Sequence, residues 1–162
     1  MTPETEITAE QIADFIIGFS NKSGELITNL KLQKLLYYAQ AWHLANKHRS
    51  LFKEDFEAWV HGPVIPSIYH QFKSFSPSPI LKEVDLDAIK KLLGAETVAY
   101  MEELLSVYLP FSAYELERMT HEEDPWKTTR GGLETSERCE VKIPTGLIEA
   151  YYASRITAQS EK

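Results

Sequence analysis

The segment NLKLQKLLYYAQAWHLANK at residues 29–47 constrains the fold most, because it carries apolar side chains on two opposite sides of a helix. On a helical projection one apolar stripe consists of Leu32, Leu35, Leu36, Ala39 and Trp42. The opposite side carries Leu30, Tyr37, Ala41 and Leu44. A helix that is apolar on two faces is normally enclosed by its neighbours, so we expect this one to be the central helix of the domain. The polar strip that remains is expected to hold Lys31, Lys34 and Tyr38.

Helix-start signals recur along the rest of the chain. Thr8 and Gln11 have the spacing of a capping box, and Ser112 and Glu115 form another. Asp85 is placed to cap a further helix, because its carboxylate can accept a hydrogen bond from the first helical turn. These signals predict that helix dominates the fold.

The segment FEAWVHGPVIPSIYHQFK at residues 56–73 predicts a strand, a turn and a helix. Residues 56–60 alternate large apolar and smaller or polar side chains, the period of a half-buried strand. Gly62 and Pro63 are expected to interrupt this strand, because proline lacks the donor that a β-ladder needs. Pro66 then fits the first turn of a short helix.

The predicted fold class is therefore mainly α. We expect a single compact multi-helix domain over residues 1–162, with its core at about residues 8–155. A small β element, a short strand or hairpin, is expected near residues 56–63, with further extended residues around 139–143. Residues 121–126 and the pair Gly131-Gly132 are expected to form an irregular region.

Composition favours a soluble, cytoplasmic protein. Charged residues make up 25% of the chain, close to the average for a globular domain. The single Cys139 excludes an internal disulfide framework. The opening MTPETEITAEQ lacks the basic flank and apolar run of a secretory signal. No apolar stretch approaches the roughly 20 residues that cross a bilayer.

The net charge of −7 argues against a general attraction to nucleic acid, but the charge is unevenly placed. Residues 22–53 carry six Lys and Arg against Glu25 alone, whereas residues 102–140 carry ten acidic against four basic residues. Two solvated faces would explain this pattern, and so would a charged protein partner oriented by opposite patches. A nucleic-acid-binding regulator that uses the basic strip at 22–53 is the alternative function.

The sequence predicts no enzyme, cofactor or metal site. Its five histidines lack the paired spacing of a zinc site, and the run from His121 to Asp124 has only one of the two histidines that a zincin needs. Phosphate-binding loops and the nucleophile elbow of hydrolases are also missing. A hydrolase would require His61 and His121 to share one pocket, which is the third hypothesis.

Four blocks of sequence, taken together in this order, resemble the Panacea, or SocA-like, antitoxin domain. The blocks are NLKLQKLLYYAQAWHLA (29–45), SLF (50–52), EAWVHGPVIPSIYHQFK (57–73) and MTHEEDPWKTTR (119–130). The resemblance implies a bacterial or phage-borne antitoxin, encoded beside a toxin that it neutralises by direct binding. Some members of the family deliver the toxin to an AAA+ protease, which is a second implied partner. The 162 residues leave no length for a separate DNA-binding module, so autoregulation through DNA is not expected.

On this hypothesis the partner-binding surface is predicted around the strand–turn–helix unit, because aromatic residues are enriched in protein interfaces. The predicted contact residues there are Tyr38, Trp59, His61, Pro63 and Tyr69. A second set, predicted to steer a basic toxin, consists of Glu122, Glu123 and Asp124.

Overall fold

The computed structural model describes the backbone of residues 6–160 and the side chains of residues 6–156. This part of the chain contains α1 (Ala9–Lys22), α2 (Asn29–Lys47), β1 (Glu57–Trp59), β2 (Gly62–Val64), α3 (Pro66–Phe72), a 3-10 turn (Lys73–Phe75), α4 (Leu86–Leu93), α5 (Ala95–Tyr108), α6 (Ala113–Glu122), α7 (Asp124–Arg130) and α8 (Thr145–Ser160). The mainly α fold class is confirmed. Among the described helices, none combines the length and the apolar character needed to cross a bilayer.

Helix α2 is the central helix of the fold, as the sequence predicted. It packs against α1, α3, α5, α6, α8 and β2. Residues 31–41 are buried without interruption, which requires neighbours on every side of the helix. Thr28 caps its first turn by accepting a hydrogen bond from the N–H of Lys31. Apolar residues from Ala9 through Tyr152 pack around it in one hydrophobic core.

The polar strip predicted on α2 is wrong, because its lysines point into the protein. Lys31 Nζ donates hydrogen bonds to the carboxylate of Glu25 at 2.6 Å and to the carbonyl oxygen of Leu109 at 2.7 Å. Lys34 Nζ is fully buried and donates to the carbonyl oxygen of Pro63 at 3.1 Å. The basic surface expected over residues 22–53 therefore lacks two of its six cations, which weakens the case for a nucleic-acid-binding regulator.

Buried amides of α2 hold the loops that follow it. Gln40 donates to the carbonyl oxygen of Phe52 and accepts a hydrogen bond from the N–H of Leu51, both at 2.7 Å. Gln33 accepts from the N–H of Ile65 at 3.0 Å. Because buried polar groups must be paired, these contacts fix the approach of both loops to the helix.

Strands β1 and β2 form a hairpin with a two-residue loop at 60–61. Trp59 lies opposite Gly62, and Ala58 lies opposite Pro63. Pro63 was expected to break the strand, but it belongs to β2. The Ala58–Pro63 pair is the non-hydrogen-bonded kind, so the ladder needs no donor at that position.

The extended residues expected at 139–143 are also present. Lys142 forms an antiparallel bridge with Glu57, and the N–H of Ala58 donates to the carbonyl oxygen of Val141 at 2.9 Å. This segment therefore lines the outer edge of β1 and extends the hairpin by a short third piece.

The expectation of irregular structure is confirmed for Gly131 and Gly132, which form a turn, but it is wrong for residues 121–126. Those residues belong mainly to the end of α6 and to α7, Asp124–Arg130. Pro125 lies in the first turn of α7, where a missing N–H leaves no helical hydrogen bond unmade. Gly131 ends the helix with a positive φ of 62°.

Candidate partner-binding site

Helix α7 docks on the hairpin through the side chains of Trp126 and Arg130. Trp126 Nε1 donates a hydrogen bond to the carbonyl oxygen of Trp59 at 2.7 Å. Arg130 donates to the carbonyl oxygen of Ala58 at 3.1 Å, with its guanidinium carbon 4.8 Å from the centroid of the Trp126 ring. The ring of His121 stacks on Trp126 with centroids 4.0 Å apart. The hairpin and α7 thus form one rigid unit.

Arg130 also fastens the loop that follows α7. Its buried guanidinium donates to the carbonyl oxygens of Glu134 at 2.8 Å and Glu137 at 2.6 Å. A charged donor inside the protein makes hydrogen bonds of the stronger kind. The loop is consequently held beside β1, where residues 138–140 form a wall of the groove described next.

A groove of about 720 Å³ opens between the hairpin, α3, the start of α6 and residues 138–140. Most of its lining is apolar. The main apolar residues around it are Leu30, Trp59, Val60, Val64, Tyr69 and Pro77. The rings of Trp59 and Tyr69 meet edge to face with centroids 5.0 Å apart, and both residues are half-buried.

Paired charges line the mouth of this groove. The exposed imidazole of His61 lies 2.8 Å from a carboxylate oxygen of Glu117, measured from Nδ1. Arg138 forms an ion pair with Glu140. Lys73 has no ion-pair partner among residues 6–156. The surface that the groove offers is therefore aromatic at its walls and almost neutral at its mouth.

The two histidines of the hydrolase hypothesis lie on either side of Glu117. His121 Nε2 is 3.9 Å from the carboxylate oxygen that His61 contacts. However, His121 is stacked on Trp126 and does not line the groove. Burial lowers the pKa of His121, against the raising effect of Glu117. Within the described residues no group of His, Cys, Asp and Glu side chains could hold a metal ion.

Two of the predicted contact residues lie inside the protein. Tyr38 is 1% exposed, stacks on Tyr108 with ring centroids 4.4 Å apart, and donates a hydrogen bond to the carboxylate of Glu123. Pro63 is buried, and its carbonyl oxygen accepts the hydrogen bond from Lys34. The prediction that Tyr38 and Pro63 lie on the surface is therefore wrong. Each instead makes its contacts inside the protein, Pro63 with Lys34 and Tyr38 with Glu123.

The acidic residues lie at a different place from the groove. Glu122 and Glu123 line a second depression of about 400 Å³, together with Trp42, Met119, Tyr151, Tyr152 and Arg155. Asp124 is exposed and lines neither depression. Burial raises the pKa of the Glu123 carboxyl, against the lowering effect of hydrogen bonds with Tyr38 and Tyr152.

The sequence did not predict the role of the residues that hold the backbone of the groove walls in place. Lys34, Gln33 and Arg130 each bind the backbone of the hairpin or of the segment after it. For Lys34 and Gln33 the local signal of this role is a polar side chain inside an otherwise apolar stretch of helix, whereas Arg130 has no such signal, because its partner groups are distant in sequence.

Comparison with known proteins places the chain in a family. The family model described as "Antitoxin SocA-like, Panacea domain" matches residues 32–127, more than half of the chain. Antitoxin SocA of Caulobacter vibrioides (strain NA1000 / CB15N) is 38% identical over 85 residues, which is 52% of this chain and 43% of that relative. The match thus spans less than half the length of the curated relative. No solved structure matches the chain. The matched residues include most of the central helix, the hairpin and the start of α7, and the chain belongs to the SocA-like antitoxin family with a Panacea domain.

Proposed function

We propose that this chain is an antitoxin that acts as a single domain and neutralises a toxin protein by binding it in the groove over the hairpin, without chemistry of its own. Support comes from the family match and from the similarity to a protein named as an antitoxin. The single observation that carries the choice of surface is the half-buried aromatic pair, Trp59 and Tyr69, on the groove wall.

The physical properties of the groove suit a polypeptide partner. Its volume of about 720 Å³ lies in the range of pockets that enclose several side chains or a small ligand. Tyr and Trp are the residue types that most often dominate binding energy at protein interfaces. The hairpin that carries them is fixed by Lys34, Trp126 and Arg130, so little conformational entropy is lost when a partner binds.

Neutralisation can end in a blocked toxin or in a degraded one. The proposal includes delivery of the bound toxin to an AAA+ protease as the second outcome. The lifetime of the toxin in cells separates the two, because delivery shortens that lifetime whenever the antitoxin is present and blocking does not.

The test is co-expression with the product of the neighbouring gene. We expect that product to arrest growth alone and the wild-type chain to restore growth. His61→Ala is expected to reduce the rescue. His48→Asn is the control, because His48 also faces a glutamate, at 3.2 Å, with a side chain exposed to 72% against 70% for His61, and asparagine tolerates the positive φ of 56° at this position. A harmless neighbouring product, or equal rescue by both variants, would contradict the proposed function or its surface, respectively.

A further inference from the structure

Glu123 carries a negative charge that no basic side chain of residues 6–156 neutralises by an ion pair. Its neighbours Glu122 and Asp124 each reach a basic partner, at 3.7 Å and 4.0 Å. Glu123 is half-buried, and its carboxylate accepts a hydrogen bond from the hydroxyl of Tyr38. A carboxylate that is withdrawn from water loses solvation, and a cation placed beside it restores much of the lost free energy.

Aromatic rings enclose this carboxylate. The depression that Glu123 lines is also lined by Trp42, Tyr151 and Tyr152. The ring of Tyr152 meets those of Trp42 and Tyr151 edge to face, with centroids 5.0 Å and 4.9 Å apart. The indole of Trp42 is fixed by a hydrogen bond from Nε1 to the hydroxyl of Tyr108 at 2.6 Å. Aromatic faces attract cations, and the attraction grows when water is excluded.

The chain's own arginine shows which cation suits these walls. Arg155 lies at the rim of the depression, with its guanidinium carbon 4.8 Å from the centroid of the Tyr151 ring. It donates a hydrogen bond to the hydroxyl of Tyr151, and its charge acts on Glu123 by lowering the pKa of that carboxyl, but the two side chains do not come within ion-pair distance. One guanidinium therefore already packs against an aromatic wall of the depression. The carboxylate of Glu123 has no guanidinium in contact with it.

From this geometry we infer that the depression is a socket for one arginine side chain of the toxin, with the guanidinium between the aromatic walls and hydrogen-bonded to the Glu123 carboxylate. Arginine fits better than lysine, because a planar guanidinium can donate two parallel hydrogen bonds to a carboxylate and can stack on an aromatic ring. The inference rests on the proposed antitoxin function and specifies that the toxin presents a basic segment at a second contact, separate from the groove.

The first test needs no toxin. N-acetyl-L-arginine methylamide is titrated into the ¹⁵N-labelled protein, and the indole N–H signal of Trp42 is followed by NMR. We expect a saturable shift for the wild type and for Asp124→Asn, and at least a tenfold weaker response for Glu123→Gln. The citrulline analogue, a neutral copy of the arginine shape, is expected to bind at least tenfold more weakly than the arginine probe. Equal responses of the two probes, or no shift of Trp42 with the arginine probe, would overturn the inference.

The Glu123→Gln variant is chosen so that the fold survives, since the amide oxygen can still accept the hydrogen bond from Tyr38. Its melting temperature is compared with that of the wild type to confirm this. The second test measures the affinity of the cognate toxin, and we expect at least a tenfold loss for Glu123→Gln and less than a twofold loss for Asp124→Asn. If the toxin binds the wild type and Glu123→Gln equally, the arginine socket is refuted while the proposed function stands. If the toxin does not bind the wild type at all, the proposed function fails, and the assignment of the socket to a toxin arginine fails with it.

Discussion

The indole nitrogen of Trp126 donates a hydrogen bond to the carbonyl oxygen of Trp59 at 2.7 Å, across 67 positions of the sequence. Arg130, one helical turn further on, donates to the adjacent carbonyl oxygen of Ala58 at 3.1 Å. The backbone of β1 is thereby fixed while the ring of Trp59 forms a wall of the groove. These contacts join the sequence blocks at 57–73 and 119–130 in the fold, since α7 supports the hairpin.

Replacement of Arg130 by lysine tests this support. Lysine keeps the charge but cannot reach the separated carbonyl oxygens of Ala58, Glu134 and Glu137 with one planar group. We expect the free energy of unfolding to fall by about 1.5 to 3 kcal/mol, the usual range for hydrogen bonds to a charged group. Chemical denaturation measures this change, and hydrogen exchange should become faster in residues 131–138. Arg138→Lys, in an exposed ion pair, is the control, and an equal loss in both variants would contradict the account.

Position 62 requires glycine for two reasons: its backbone has a positive φ, and a β-carbon there would have no room. Its φ is +108°, and a β-carbon there would lie 2.6 Å from Cε of Lys34 and 2.9 Å from Oγ1 of Thr120. Gly62→Ala is therefore expected to lower the free energy of unfolding by about 2 to 4 kcal/mol, from backbone strain and overpacking together. Gly132→Ala is the control, because nothing lies within 4 Å of a β-carbon there. Unfolding curves of the two variants that coincide would refute the role of Gly62.

Lys34 makes stability depend on pH. Burial lowers the pKa of its amine from 10.5 to about 7, although Glu117 opposes this effect. Between these two values the unfolded chain binds a proton that the folded chain lacks, so the free energy of unfolding rises with pH. The slope for one proton is at most about 1.4 kcal/mol per pH unit.

Lys34→Met removes this titration and supplies the comparison. Urea unfolding from pH 7 to pH 10 should show the wild type gaining stability relative to the variant as pH rises. Other titrating groups are common to both proteins and cancel in the difference. If the free energy of unfolding of the wild type minus that of Lys34→Met stays constant or falls over this pH range, the Lys34 amine is not held neutral in the folded protein.

At acid pH, Glu123 should make the free energy of unfolding fall as the pH rises, the opposite of the effect of Lys34. Burial raises the pKa of its carboxyl, so in the folded protein the proton is held to higher pH than in the unfolded chain. The wild type is therefore expected to lose stability relative to Glu123→Gln as pH rises through the raised pKa. Thermal unfolding of both proteins across the acid range measures this. A wild type that gains stability relative to the variant over that range would contradict the assignment.

Local signals in the sequence were sufficient to predict most helix starts. Thr8, Asp85 and Ser112 each accept a hydrogen bond from a backbone N–H three residues later, as expected, and Thr28 does the same at the start of α2. Such caps depend only on neighbouring residues, so they can be recognised without a fold. Helix α7 was missed because it has only seven residues and no side-chain cap, and docking of Trp126 on the hairpin holds it in place.

Burial of charged residues could not be predicted in the same way. A helical projection assigns Lys31 and Lys34 to solvent, but the carbonyl groups that they bind are 78 and 29 positions away. Contacts between residues distant in sequence also limited the prediction of the partner-binding residues. Trp59, His61 and Tyr69 come together on one groove because they are close in sequence, whereas the burial of Tyr38 depends on the distant Tyr108 and Glu123.

The most direct test of the central claim is a calorimetric affinity measurement between the purified toxin and this chain. We expect Tyr69→Ala to weaken binding at least tenfold, since an aromatic residue that acts as an interface hot spot costs about 2 kcal/mol or more when it is removed. Leu92→Ala, at an exposed apolar residue of α4 that does not line the groove, is expected to change affinity less than twofold. Circular dichroism confirms that both variants are folded. Undiminished binding of the toxin by folded Tyr69→Ala would contradict the assignment of the groove as the toxin-binding surface.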